Sequence, residues 1–209
     1  MQEIITIKEN SVVEYVEKKS KFIAHIYYVE TKKQAEEIIK QLKTKYSDAK
    51  HNCYAYSILE QGSVITKSSD DGEPSGTAGI PILNVIKEKK LTNTLIVVTR
   101  YFGGILLGTG GLVRAYTKSA VDAVEKSEIV EKELGYLVKF KTDYSKLEQL
   151  KYYLNQNKCN ICDIIYLEKI ELKAEVLKNI KEELEKNEVK KDDMYESMEI
   201  LDIRYVQKK

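Results

Sequence analysis

Residues 95–116 read LIVVTRYFGGILLGTGGLVRAY. The run Leu95–Thr99 is short, wholly apolar and β-branched, the pattern of a central strand covered on both faces. Five glycines then fall within the nine residues 103–111. From Leu112 to Lys126, Tyr116, Ala120, Ala123 and Val124 recur at helical spacing. Strand, glycine loop and helix is also the order of a phosphate cradle, and Arg100 and Arg114 bracket this one. Two such cradles fail at named positions. A P-loop needs Gly-Lys-Ser/Thr, but Leu112-Val113 follow Gly110-Gly111; a dinucleotide loop needs a third glycine where Val113 stands. Two readings stay open. Free N–H groups at the helix start hold an anion, with Arg114 one turn in reaching the same ligand, or the turn is purely structural.

Eight of the ten glycines and both prolines lie between Gly72 and Gly111. They belong to SDDGEPSGTAGIP (69–81) and RYFGGILLGTGG (100–111). Glycine weakens the interior of an element by about 1 kcal/mol relative to alanine, so its clustering marks a local need for unusual backbone angles or close approach. In the first segment, Asp70, Asp71 and Glu73 are either hard-oxygen cation ligands or the polar residues of a turn before Gly72. The turn is preferred, because no further carboxylate spacing suggests a metal. Thr77 is expected to cap a helix over Ile80–Lys89 with Pro81 near its start. Ser75 and Thr77 lack a positioned base.

Other chemistry is weaker still. His51 and Cys53 share one side of a strand, and a base beside a thiol generates a nucleophile, but a buried structural cysteine is the commoner case. Cys159-x-x-Cys162 has no second pair or nearby histidine for zinc and follows a helix, whereas a redox pair wants a helix N-terminus. Tyr27, Tyr28, Tyr54 and Tyr56 have faces on which bases stack; in a chain without tryptophan they read first as core aromatics.

Around these segments the pattern is α/β (α+β), with expected domains at 1–130 and 131–209. Residues 3–29 alternate as two or three strands, Thr31-x-x-Gln34 opens a helix as a capping box, and His51–Leu59 is a strand. Beyond residue 130 come a strand at Leu134–Phe140, a helix capped by Ser145-x-x-Glu148, a hairpin of Cys162–Leu167 and Lys169–Ala174, a helix at Val176–Lys186 and a strand at Ser197–Val206. That β-α-β-β-α-β order is the ferredoxin-like split βαβ, which leaves one sheet face open for a partner.

Composition bounds the function. The net charge is +1, with 18 Lys+Arg against 16 Asp+Glu up to residue 130 and 16 against 17 beyond it; neither part has the basic surplus of a strong phosphate-backbone binder. Only three of the 34 basic residues are arginine, and two of them bracket the glycine loop. No apolar run of about 18 residues exists to span a membrane, the start lacks a signal-peptide pattern, and three cysteines suit a reducing cytoplasm.

KKSKFIAH (18–25), HNCYAY (51–56), SDDGEPSGTAGIP (69–81) and the 95–116 stretch together resemble the IMPACT/YigZ family over nearly the whole chain. The resemblance implies an N-terminal domain like the second domain of the fifth small-subunit ribosomal protein. It also implies a ferredoxin-like C-terminal domain like the last domain of elongation factor G. In the family, eukaryotic members are translational regulators that act by binding a protein activator of an initiation-factor kinase; the additional N-terminal domain they carry is not expected here, and that partner is not carried over. The expectation is a cytoplasmic, non-enzymatic, translation-linked regulator without cofactor or metal. It would bind RNA or a ribosomal surface through Arg100, Gly103, Gly104, Gly108, Gly110, Gly111 and Arg114, with Asp70, Asp71 and Glu73 on the facing loop. The alternatives are a Mg-dependent enzyme on a phosphorylated small molecule and a protein-interaction adaptor of the translation machinery.

Overall fold

In the computed structural model, which describes residues 3–186 and 194–208, Thr94–Tyr101 is β6, the middle strand of an antiparallel sheet. The sheet runs β2 (Ser11–Glu17), β3 (Ser20–Tyr28), β6, β4 (His51–Glu60), β5 (Ser63–Ser69). Both faces of β6 are covered. Ile96 and Val98 join a core with Phe22, Cys53 and Ala55 beneath helices α2 (Gly79–Glu88) and α3 (Gly108–Ser127). Leu95 and Val97 pack on the opposite side against Ala35, Ile39 and Leu42 of α1 (Lys32–Lys45). Strand β1 (Glu3–Ile7) adds Ile7 to the first core, and Ile5 bridges Leu91. Thr31 caps α1, its hydroxyl accepting from the Gln34 N–H, as the capping box predicts.

Ile4–Val130 forms one compact unit and the rest of the described chain another. In the second, β7 (Ile129–Thr142), α4 (Leu147–Gln156), β8 (Asn160–Tyr166), β9 (Ile170–Leu177), α5 (Lys178–Lys186) and β10 (Ser197–Gln207) follow in order. The strands lie as β10-β7-β9-β8 with antiparallel neighbours, the split βαβ arrangement. Leu147, Leu150 and Leu154 of α4 and Ile180 and Leu184 of α5 cover one sheet face through Phe140, Leu172 and Val176. The opposite face carries ion pairs of both signs: Lys139–Glu199, Lys173–Asp163, and Arg204 with Glu175 and Asp202.

The folded chain departs from the sequence reading at element ends. Helix α3 begins at Gly108 rather than Leu112, so three glycines with poor helix propensity form its first turn. Thr77 does not cap α2. Its hydroxyl donates to the Pro74 carbonyl, and the Asp70 carboxylate takes the N–H groups of Ala78 and Gly79 instead. Nor does Ser145 cap α4: a turn through Asp143 and Lys146 moves the start to Leu147, and Glu148 pairs with Lys151. Val176 and Leu177 stay in β9, because Val176 faces the core. Strand β5, residues 63–69, was absent from the sequence reading; its mostly exposed, hydroxyl-rich run gives no apolar period.

Candidate functional site

Strand parity decides where Arg100 goes. Ile96, Val98 and Arg100 share the face of β6 beneath α2 and α3, so the guanidinium enters a wall of the core with Phe22 and His51 as its cross-strand neighbours. The side chain is 7% exposed. Its Nη1 donates to Glu73 Oε1 at 2.7 Å, Nη2 to Ser20 Oγ at 3.3 Å, and the group lies between the Phe22 and Phe102 rings. The Nε–H has no hydrogen-bond partner. An orphaned buried donor costs about 1–3 kcal/mol, and this one lies at the glycine-rich segments.

Glu73, 3% exposed, is the matching anion. Its Oε1 also accepts from the Tyr116 hydroxyl at 2.9 Å, and Oε2 lies 3.9 Å from His51 Nε2. His51 donates through Nδ1 to the Asp71 carbonyl. Burial pushes the Tyr116 phenol far up, so its proton stays available to Glu73. The Cys53 thiol, 3.3 Å from the Tyr116 oxygen, is pushed up to about 12, chiefly by burial. A thiol that stays protonated at neutral pH is a poor nucleophile. Thiol titration of the native protein should therefore modify exposed Cys162 and leave buried Cys53 and Cys159 silent until unfolding. Fast modification of Cys53 would return it to the list of nucleophiles.

The two other acidic residues of the loop hold the loop itself. Asp70 accepts from the N–H groups of Gly76, Ala78 and Gly79 at 2.8–3.0 Å. Burial alone would raise its carboxyl; those three backbone bonds outweigh it and keep it below the usual carboxylate range. Asp71 accepts from Asn52 N–H and pairs with Lys43. All three carboxylates thus have protein donors, and among the described residues no His/Cys/Asp/Glu cluster is spaced to hold a metal.

The two glycine-rich segments meet at a pocket of about 380 Å³. Arg100, Glu73 and His51 supply its polar lining, Lys50 stands on it, and Pro74, Phe102, Leu106, Leu107 and Leu112 give it apolar walls. Gly72 and the first residues of α3, Gly108 and Thr109, complete the lining. That helix starts without a side-chain cap, so its first N–H groups are open to a ligand. Gly110 and Gly111 belong to the same first turn, and Gly104 precedes it at φ +82°.

Gly103 does something different. A Cβ on it would lie 2.0 Å from the Lys19 carbonyl carbon, because the β2–β3 hairpin turn rests directly on this glycine. Lys18 and Lys19 both have positive φ, as a two-residue primed turn requires. Ser20 then joins the hairpin to the site, meeting both Arg100 Nη2 and the Gly103 N–H. Arg114 is exposed on α3 and outside the pocket lining. Ser20, Lys50, Phe102 and Tyr116 are components the sequence reading left out. Only Tyr116 carried a signal, as a polar aromatic on the apolar stripe of α3.

The Impact N-terminal domain matches residues 18–124, and a domain of unknown function, DUF1949, matches residues 140–187. The IMPACT family member YvyE of Bacillus subtilis is 42% identical over 171 residues, which is 82% of this chain and 78% of YvyE. The IMPACT family member YigZ of Escherichia coli is 41% identical over 107 residues, 51% of this chain and 52% of YigZ. A crystal structure described as that of a hypothetical protein superposes over 98% of both chains with a TM-score of 0.63 and 28% identity.

Proposed function

The chain belongs to the IMPACT family as a bacterial YvyE/YigZ-like member with Impact N-terminal and DUF1949 domains, and from this we propose that it is a non-enzymatic, translation-linked regulator that binds RNA or a ribosomal surface through its N-terminal pocket. One observation carries the reading: residues 72–74 of the first glycine-rich segment and residues between Arg100 and Leu112 of the second line a single pocket, in which Lys50 and an uncapped helix N-terminus stand beside the Arg100–Glu73 pair. Cations and open helix N–H groups together favour anions. The link to translation rests on the family's eukaryotic members. The finer likenesses, to a ribosomal-protein domain and to an elongation-factor domain, belong to the same proposal.

Binding is assigned to the first unit because the open sheet face of the second offers little to RNA. RNA-binding sheets stack bases on aromatic residues, whereas β9 presents Glu171, Lys173 and Glu175 there, between Lys139 and Asp163. The magnesium-enzyme alternative loses ground to the occupied carboxylates of Asp70, Asp71 and Glu73. The adaptor alternative draws on exposed Phe102, Ile105 and Leu106; ribosome association that survives RNase would favour it.

Co-sedimentation with ribosomes and with RNA at two salt concentrations tests the reading. Lys50→Ala should weaken binding and lower the salt slope by about one. Arg114→Ala, on the same end of α3, should act in the same direction. Unchanged binding and slope in the double variant would remove the pocket from the interaction.

A further inference from the structure

The pocket walls point to a more specific ligand, and this inference rests on the reading above. Arg100, Glu73 and Leu112, all buried, line the pocket's inner side. These residues close the inner side, so a group that fills the pocket enters from its mouth, as an end or a free small molecule. The volume, about 380 Å³, is at the low end of the ~300–1,000 Å³ common for small-molecule pockets, enough for one compact group. At the mouth Phe102 is 46% and Leu106 83% exposed. A ring presented this way is a stacking platform for a planar ligand.

The α3 end supplies the anion site. Leu107 lies in the right-handed helical region and Gly108 follows at φ +69°. That succession turns consecutive N–H groups inward into an anion-holding concavity, at the start of a 20-residue helix without a side-chain cap. An independent observation agrees: Arg100, more than nine-tenths buried, lines the same pocket with an unpartnered Nε–H. The α3 amides, Arg100 and Lys50 come from separate elements and line one pocket, a donor set that suits the three oxygens of a phosphomonoester.

We propose that the pocket binds a nucleoside monophosphate group, either free or as the phosphorylated end of an RNA, with the phosphate on the Leu107–Thr109 amides and the base against Phe102.

Fluorescence anisotropy with one short RNA bearing a 5′-phosphate, a 3′-phosphate or only hydroxyl ends tests this on the full chain. Adenosine monophosphate, uridine monophosphate and inorganic phosphate serve as competitors. One phosphorylated RNA should bind at least roughly tenfold tighter than the hydroxyl-ended RNA, and nucleoside monophosphate should displace it better than inorganic phosphate. If the monophosphates bind directly and no RNA end does, the free nucleotide is the source. Phe102→Ala should weaken binding roughly tenfold through loss of one base stack. Thr109→Pro should also weaken it, by removing an amide donor at a first-turn position that tolerates proline; melting temperatures verify that both variants fold. Equal affinity for phosphorylated and hydroxyl ends, with no binding of free monophosphate, overturns the proposal and leaves RNA binding intact. Unchanged affinity in Phe102→Ala overturns it as well. Absence of any RNA or ribosome association by the parent protein, together with no binding of free monophosphate, overturns this proposal and the function above together; absence of RNA and ribosome association alone overturns only the function above.

Discussion

Arg100→Ala should destabilise the N-terminal unit by about 3–5 kcal/mol, the usual cost of removing one partner of a buried ion pair. For a unit of this size that corresponds to a fall in melting temperature of roughly 10–20 °C. The cause is Glu73 more than the arginine. With the guanidinium gone, a carboxylate 3% exposed keeps only the Tyr116 hydroxyl on Oε1 and His51 at 3.9 Å from Oε2. The same variant also removes a planar group held between two aromatic rings and one partner of Ser20. Replacing both charges by apolar residues of similar size, Arg100→Met with Glu73→Leu, should recover most of the loss, since desolvation of the pair consumes much of its attraction. Calorimetry would resolve this, with the transition of the N-terminal unit followed separately from that of the second unit. A melting temperature within about 3 °C of the parent for Arg100→Ala would contradict the buried pair. The practical consequence is that Arg100 cannot report on ligand binding by simple deletion, which is why Lys50, Phe102 and Thr109 carry those tests.

What the sequence made legible follows from what its patterns encode. LIVVT announces a strand covered on both faces, and β6 is one. The split βαβ order of the second unit is readable because each element there is long and periodic. The site is legible as two glycine-rich segments and far less as chemistry. Arginine in a soluble protein reads as surface, although parity with Ile96 and Val98 already places Arg100 on the core side of its strand. The start of α3 was hidden because glycine suppresses helical pattern over the very turn where it is needed. Asp70 capping a helix eight and nine residues downstream is long-range within the loop and leaves no trace in a capping-box spacing. Ser20 and Lys50 enter the site only through strand pairing and hairpin placement, which no local window contains.

The glycines of the 103–111 segment should separate sharply by role, and Gly103→Ala is the severe case. Its Cβ would fall 2.0 Å from the Lys19 carbonyl carbon and 2.1 Å from its oxygen. Those are backbone atoms of a tight turn and no rotamer change can move them aside. Either the hairpin lifts or the loop after β6 shifts. Both break the Ser20 bonds to Arg100 and to the Gly103 N–H and open the wall of the pocket. The expected cost is about 3 kcal/mol or more, at the upper end of overpacking, with ligand binding lost alongside. Gly104→Ala meets nothing within 4 Å but must hold φ near +82°, so it should cost only about 1–2 kcal/mol. Gly110→Ala faces the far end of Arg114 at 3.6 Å without a positive φ, and should stabilise α3 by up to about 1 kcal/mol. Urea denaturation of the three variants should therefore rank Gly103→Ala least stable, then Gly104→Ala, then Gly110→Ala above the parent. A Gly103→Ala protein as stable as Gly104→Ala would mean that the hairpin does not rest on this loop. The coupling of Ser20 to Arg100, and with it the shape of the pocket floor, would then be wrong.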